Sequence, residues 1–445
     1  MTCLTDVNVS TTPHPPTGRS QADERHRRLD ELADQVEADV IDWRHDIHQH
    51  PELSNRETRT AAKIADHLTS LGLEVHTDIA PTGVIGILRG DLDGDRVIAL
   101  RADIDALPVE ETVDVPFKST VVDEDYPGGP FPVAHSCGHD AHTAMLMGAA
   151  SVLTAMKSEL AGTVLFVFQP AEEGPPVGEQ FGAQAMLDAD AFADLRPDAC
   201  FGMHVGPLPA HAFAYASGVQ LGASEVLEIN IHGQQVHGST PFAGLDPMPV
   251  LAAIDNGFAQ IYRQIDTNEP FTISIGKIDT VGRTNIIGGK ITAWGTARAA
   301  RTEVLDDLNM RMKRVVEHAA QMHGLTADFA VHQHVPAVVN EQDWLDRLLP
   351  SVERVAGEDN VHIMRPVMGY DDVSVFVKEF GGIYIVLGGQ NVRFVDGGLP
   401  EAIDPSSPTG GFVPNHNPGF YVLDEVLKTG VRAHAHVALD FLGGA

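Results

Sequence analysis

Cysteine is scarce in this chain, with Cys3, Cys137 and Cys200 scattered over 445 residues. So few, and an odd number, argue against a disulfide framework and for a reducing compartment, and the cytoplasm is the expected location. Long apolar runs are missing as well. None reaches the length that spans a bilayer, and the first twenty residues have neither the basic start nor the apolar core of a signal peptide. Residues 1–20 read instead as a disordered leader. Basic residues are in deficit, 30 Lys and Arg against 62 Asp and Glu, and the formal charge of -32 would repel phosphate backbones and anionic lipid. Neither nucleic acid nor a membrane is an expected partner. A salt-rich habitat and a high-GC genome would each produce such an acidic balance. Also absent are the H-E-x-x-H helix, the phosphate-binding G-x-x-x-x-G-K, the G-x-S-x-G elbow and the glycine-rich dinucleotide fingerprint. Serine-hydrolase, nucleotide and hydride-transfer readings lose ground with them.

What is present is enough apolar material for a large core. Hydrophobic residues make up 43% and charged residues 21%, the balance of a folded globular protein, and 445 residues exceed the size at which one core usually keeps growing. Two domains are expected. From Gln21 onward Leu29, Leu32, Val36, Val40 and Ile47 recur at helical spacing until Pro51, and a second helix runs from Glu57 to Leu71 before Gly72. "VIGILRG" and "DRVIALRADIDALP" read as strands with a turn at Asp93-Gly94 between them, and "HTAMLMGAASVLTAMKSEL" as a helix packed beside the strand "GTVLFVFQP". This alternation implies an α/β domain with a mixed, mostly parallel sheet covered on both faces. After Gly218 the order becomes strand "SEVLEINIHGQ", helix "DPMPVLAAIDNGFAQIYRQI", strands "FTISIGKI" and "KITAWGTARA", helix "EVLDDLNMRMKRVVEHAAQM" and strand "TADFAVHQH". That βαββαβ order describes a ferredoxin-like α+β unit over residues 221–334, inserted between residues 21–220 and 335–445 of the first domain.

Potential metal ligands and proton carriers are concentrated in four short segments: "AHSCGHDAHTAM", "VLFVFQPAEEG", "CFGMHVG" and "VPNHNPGF". Thiolate, imidazole and carboxylate are the donors of a zinc-like site. Cys137 and His139 form an i, i+2 pair at the mouth of a helix, whose positive field favours a thiolate. Taken alone, the pair reads more readily as a buried Cys beside a helix-capping His than as two ligands. Glu172 and Glu173 follow an apolar strand, and in extended chain two adjacent carboxylates point to opposite sides. One can then bind a metal while the other acts as general base toward water. His204, after an expected strand end, and His416 are individually ordinary turn or core histidines. The combination of four ligand-bearing loops in one domain is what points to a metal centre.

"RHDIHQHPELS", "RADIDALP", "HSCGHDAHTAMLMGAA", "FQPAEEG", "GMHVGP" and "NHNPGF" together resemble, in order and spacing, the M20 metallopeptidase family, in particular its amidohydrolase branch of hippurate and auxin-conjugate hydrolases. The resemblance runs from about Asp42 to the C-terminus. It implies two divalent metal ions per subunit, zinc or else manganese, cobalt or nickel, held by Cys137 as a bridge with His139, Glu173, His204 and His416. Glu172 would be the general base. The inserted unit looks like the family's lid and dimerisation domain. Its "VHGSTP" makes His237 the candidate for stabilising the oxyanion, in such enzymes often from the partner subunit, while Asn285 and Arg298 match positions that hold a substrate carboxylate. Arg101 stands where many members have a ligand histidine, so Asp103 reads as orienting a ligand. "MGYDDVS", residues 368–374, replaces a more common G-S-E-D-F-S, and the loop before His416 is unusually long; both are expected near the site.

The activity implied is hydrolysis of the amide of small-molecule N-acyl or aryl-acyl amino acids by a homodimer. A dipeptidase or aminoacylase with the same site is the near alternative. From a different class comes a non-catalytic ligand-binding or structural-metal protein, against which Glu172 beside Glu173 speaks, because structural zinc sites lack a free carboxylate at a water position.

Overall fold

The computed structural model describes residues 18–395, 400–407 and 409–444. Residues 1–17 of the expected leader, and part of the loop before His416, lie outside them. Residues 18–20 are not leader but the first turn of helix α1 (Gly18–Gln49), whose Leu29, Val40 and Ile47 are wholly buried along one stripe. Helix α2 (Thr58–Ser70) ends where Gly72 adopts a left-handed φ of 76°. Strands β1 (Glu74–Ile79), β2 (Gly83–Arg89) and β3 (Leu92–Asp103), helix α3 (His139–Ala155), strand β4 (Ala161–Gln169), helix α4 (Gly182–Asp188), and strands β5 (Ala199–Pro209) and β6 (Phe213–Tyr215) follow. Asp93 and Gly94, expected as a turn, lie inside β3. Nor do β2 and β3 form a hairpin: β4 separates them, antiparallel to β2 and parallel to β3.

The chain then leaves the large sheet. Strand β7 (Ala223–His232), helix α5 (Met248–Phe258), strands β8 (Phe271–Thr280) and β9 (Lys290–Ala299), helix α6 (Thr302–Met322) and strand β10 (Thr326–Val335) build a separate antiparallel sheet of order β8-β9-β7-β10. This is the expected βαββαβ order. Leu227, Ile229 and Ile231 face Leu305, Leu308 and Met312 of α6 and Ile254 of α5 in a core of their own. Helix α7 (Gln342–Ala356), strand β11 (Val361–Ile363), helix α8 (Val373–Phe380), strand β12 (Gly382–Gln390) and helix α9 (Leu427–Gly443) return to the first sheet.

That sheet has the order β1-β2-β4-β3-β5-β12-β6-β11, with β4, β3, β5 and β12 parallel at its centre. Strand alternation sends Ile98, Leu100, Val164 and Phe166 to the face covered by α1, α3 and α9, and Val97, Ala99, Leu165 and Val167 to the face covered by α4 and α8. Helix α3 is buried on nearly every side because it lies between the sheet and α1 and α9. At Gly148 a Cβ would come within 2.6 Å of Val40 Cγ2 and 2.7 Å of Val431 Cγ2, so a bare backbone is what lets the three helices cross this closely. Among the described residues no helix is long and apolar enough to cross a membrane.

Candidate metal centre

The site is built where the central parallel strands end. Gly138, in the left-handed region at φ 96°, caps α3, and a Cβ there would stand 2.3 Å from Val205 Cγ2. The turn carrying Cys137 and His139 therefore presses directly on β5. His204 sits within β5, not beyond its end as the sequence suggested. Its Nδ1 pairs with the Val205 carbonyl at 2.7 Å, which leaves Nε2 facing Cys137 Sγ at 3.3 Å.

Glu172 and Glu173 do not point to opposite sides. Strand β4 stops at Gln169 and Ala171 turns left-handed (φ 49°), so the alternation of extended chain no longer applies. Both carboxylates face His139 Nε2, Glu172 Oε2 at 3.9 Å and Glu173 Oε1 at 3.7 Å. The strained turn is pinned from behind: Ala171 N–H donates to buried Glu57 (2.8 Å), and Glu173 N–H donates to Asp105 Oδ2 (3.0 Å). His416, itself at φ 67°, is brought in by its N–H to Ser136 O (2.7 Å) and by Asn415, whose amide bonds the carbonyls of Cys137 (3.1 Å) and Val205 (3.2 Å). His416 Nε2 then lies 3.2 Å from Glu173 Oε1.

Behind the cluster stands a buried acidic layer. Asp105 accepts from Ser54 (2.6 Å) and holds His139 Nδ1 at 3.2 Å, so His139 Nε2 is turned inward, where it is buried and makes no hydrogen bond. Asp103 instead bonds His142 Nδ1 (2.5 Å) and Arg101 (2.7 Å) and is 3.7 Å from His139 Nε2. Arg101, 1% exposed, also pairs with Asp371 (3.0 Å) and Asp372 (3.3 Å). Burial would lower the His139 imidazole, but Asp103, Asp105 and Glu173 outweigh it and raise its pKa to about 10. Burial, with Asp371 and Glu173, pushes the Glu172 carboxyl well up. The helix field expected to favour the Cys137 thiolate is outweighed by burial and by Glu173 and Glu172, which drive that thiol well above its usual value.

Such a site holds more acceptors than its own protons satisfy, and it fits a cation. The donor atoms of Cys137, His139 and His204 lie within 4.8 Å of one another, as do those of Cys137, Glu173 and His416, and those of His139, Glu172 and Glu173. The first two sets share Cys137 and otherwise draw on different residues, which suits two ions with one common ligand.

A cavity of about 610 Å³ opens over this cluster, within the usual range for small-molecule sites. Its walls include Leu208, Leu221, Val367 and Tyr370 on the apolar side, and Arg298 as a cation. Arg298 donates to Met368 O (3.0 Å) and packs against the Tyr370 ring, its Cζ 5.2 Å from the centroid. "MGYDDVS" and the loop before His416 both reach the site, through Tyr370 and Asp371 and through Pro400 and Phe412. His237 and Asn285 are exposed and lie side by side where Val236–His237 pairs with Ile286–Ile287, away from this chain's cavity. The sequence reading missed Asp105, Glu57 and Asn415. The signal for Asp105 was its place two residues beyond Asp103 in "RADID"; Glu57 and Asn415 act on backbone and left none.

The sequence profile of peptidase family M20/M25/M40 matches residues 99–440. The chain belongs to that family. It is 35% identical over 92% of its length to thermostable carboxypeptidase 2 of Saccharolobus solfataricus, covering 96% of that protein. With the N-acetylcysteine deacetylase of Bacillus subtilis it shares 31% identity over 91% of this chain and 97% of the other. Among solved structures it resembles the Bacillus subtilis YXEP protein, described as a dinuclear metal-binding peptidase of the M20 family. The TM-score is 0.70 and the identity 28%, over 93% of this chain and all of that one (100%). This M20 protein, of the amidohydrolase branch, is a metal-dependent hydrolase of amide bonds.

Proposed function

We propose that the substrate is an N-acyl or aryl-acyl amino acid, cleaved to a carboxylic acid and a free amino acid. The observation that carries the reading is Arg298 in the wall of the cavity that also holds Glu172, Glu173 and an apolar side. A guanidinium matches the planar carboxylate of an amino acid, and the apolar wall matches an acyl group. In this reading Cys137, His139, Glu173, His204 and His416 hold two divalent ions, zinc or else manganese, cobalt or nickel, with Cys137 shared. When bound there, the ions polarise the amide carbonyl and make water easier to deprotonate. Glu172 takes the proton from water and passes it to the departing nitrogen. Asp105 fixes the His139 tautomer, and Asp103 fixes His142 against β5, whose Val205 N–H donates to His142 Nε2 at 2.8 Å.

His237 and Asn285 fit the same reading if they serve a second copy of the chain. The inserted unit, residues 221–334, would then be both lid and dimer contact, with His237 donating to the oxyanion of its neighbour. A cytoplasmic setting accords with the scarcity of cysteine and with Cys137 and Cys200 being free thiols. A dipeptidase or aminoacylase is the second reading, favoured by the likeness to a protein named a carboxypeptidase. Protein reconstituted with zinc or manganese and given N-acetyl, N-benzoyl and N-indolylacetyl amino acids plus dipeptides separates N-acyl cleavage, which an aminoacylase shares, from dipeptide cleavage by free-amine release in mass spectrometry. Release from one acyl class supports the proposal; release from dipeptides alone replaces it with the second reading.

A further inference from the structure

The residue least explained by this account is Tyr370. Its ring is held edge-on to Phe181 (centroids 6.1 Å apart, planes at 88°) and lies against the Arg298 guanidinium. The hydroxyl oxygen stands over Gly174, immediately after Glu173, 3.7 Å from where a Cβ of that glycine would be. It lines the same cavity as Glu172 and Glu173, and its O–H has no hydrogen-bond partner among the described residues. A phenol clamped on its ring, its hydroxyl taken by no protein group and open to the cavity that holds the candidate base, is a donor available to whatever that cavity binds. An oxygen of a bound ligand can take the place of water as its acceptor.

We propose that Tyr370 touches the substrate, its O–H donating to the carbonyl oxygen as that oxygen becomes negative in the tetrahedral adduct. This rests on the amide-cleavage reading of the same cavity and adds a donor from the chain's own first domain, independent of any residue a second copy supplies. The hydrogen bond strengthens as charge develops, so it acts on turnover more than on substrate affinity. The clamp by Phe181 and Arg298 fixes the ring in advance, and no reorganisation is needed when the adduct forms. Sequence alone gave no sign of this beyond the departure at "MGYDDVS".

The test is Tyr370→Phe, which removes one oxygen and keeps the ring on Arg298. Three quantities are read on zinc-loaded protein: calorimetric affinity for benzylphosphonate, whose tetrahedral oxygens mimic the adduct, and kcat and KM on whichever N-acyl amino acid or dipeptide the wild type cleaves. Loss of a single oxyanion donor is worth roughly 10²–10³ in kcat, so a fall of at least about tenfold in both kcat and phosphonate affinity, at little-changed KM, is expected. Unchanged affinity and kcat overturn the proposal, as does a wild type that does not bind the phosphonate. Loss of metal or a lowered Tm in the variant would make Tyr370 a structural wall and overturn it too. If the phosphonate effect appears but no N-acyl amino acid is cleaved, Tyr370 stands and the substrate reading falls.

Discussion

Replacing Arg101 by Met tests the electrostatic architecture behind the site. The guanidinium is 1% exposed and is the counter-charge to three buried carboxylates, Asp103 at 2.7 Å, Asp371 at 3.0 Å and Asp372 at 3.3 Å. Asp371 also accepts from the Tyr384 hydroxyl, and Arg101 Nε donates to Gln169 at 2.9 Å. Removing one partner of a buried ion pair costs about 3–5 kcal/mol because the other charge stays behind unpaired. At roughly 2.1 cal/mol/K of unfolding entropy per residue, 445 residues unfolding together give about 0.9 kcal/mol/K, so a loss of about 4 kcal/mol lowers Tm by about 4 °C. The pH dependence separates charge from packing. In the wild type, burial would raise Asp103, but His139, Arg101 and His142 hold it well below the usual range; its stabilisation is present above the unfolded carboxylate pKa and lost as pH falls. Burial already lifts Asp372 to about 7 against the pull of Arg101. Without Arg101 these carboxyls move upward, and a carboxyl raised above its unfolded value destabilises at high pH and recovers once protonated. Calorimetry at pH 8.5 and pH 5.5 is thus expected to show the larger Tm loss at the higher pH. An equal loss at both would mean that Arg101 contributes volume and not charge, and the reasoning would fail.

Other perturbations address the centre itself. Glu172→Gln is expected to keep its metal and lose nearly all turnover, and activity surviving in metal-replete protein would remove Glu172 as the base. Cys137→Ala is predicted to lower bound metal by at least one ion per subunit by elemental analysis; full metal content would take Cys137 off the ligand set. Asp105→Ala frees both His139 Nδ1 and the Glu173 N–H, and metal affinity in competition with a chelator is expected to drop by about 10–100-fold. Unchanged affinity would show that the tautomer and the turn are held by something else.

The sequence by itself determined most of the long elements, because hydrophobic periodicity is a local property of the chain, while short ones such as α4, β6, β11 and α8 left too brief a pattern to read. Strand β9 begins and ends at Lys290 and Ala299, the limits read from "KITAWGTARA", and the insertion of a βαββαβ unit was legible from the change of pattern near Gly218. The types of donor were legible too, since Cys137, His139, Glu172, Glu173, His204 and His416 each sit in short turn-rich segments. What the tertiary structure decided is how those segments aim. The left-handed turn at Ala171, held by Glu57, puts both glutamates on one side, where extended chain would have parted them. β4 separates β2 from β3 although the two are neighbours in sequence, because sheet order is a long-range choice. Asp105 lies behind His139, Arg101 of β3 meets Asp371 and Asp372 from a distant segment, and Tyr370 and Arg298 share one cavity that His237 and Asn285 do not enter. Backbone pattern fixes which residues share a strand or helix face. It does not fix angles at turns, nor which charges meet when strands from opposite ends of the chain are laid side by side.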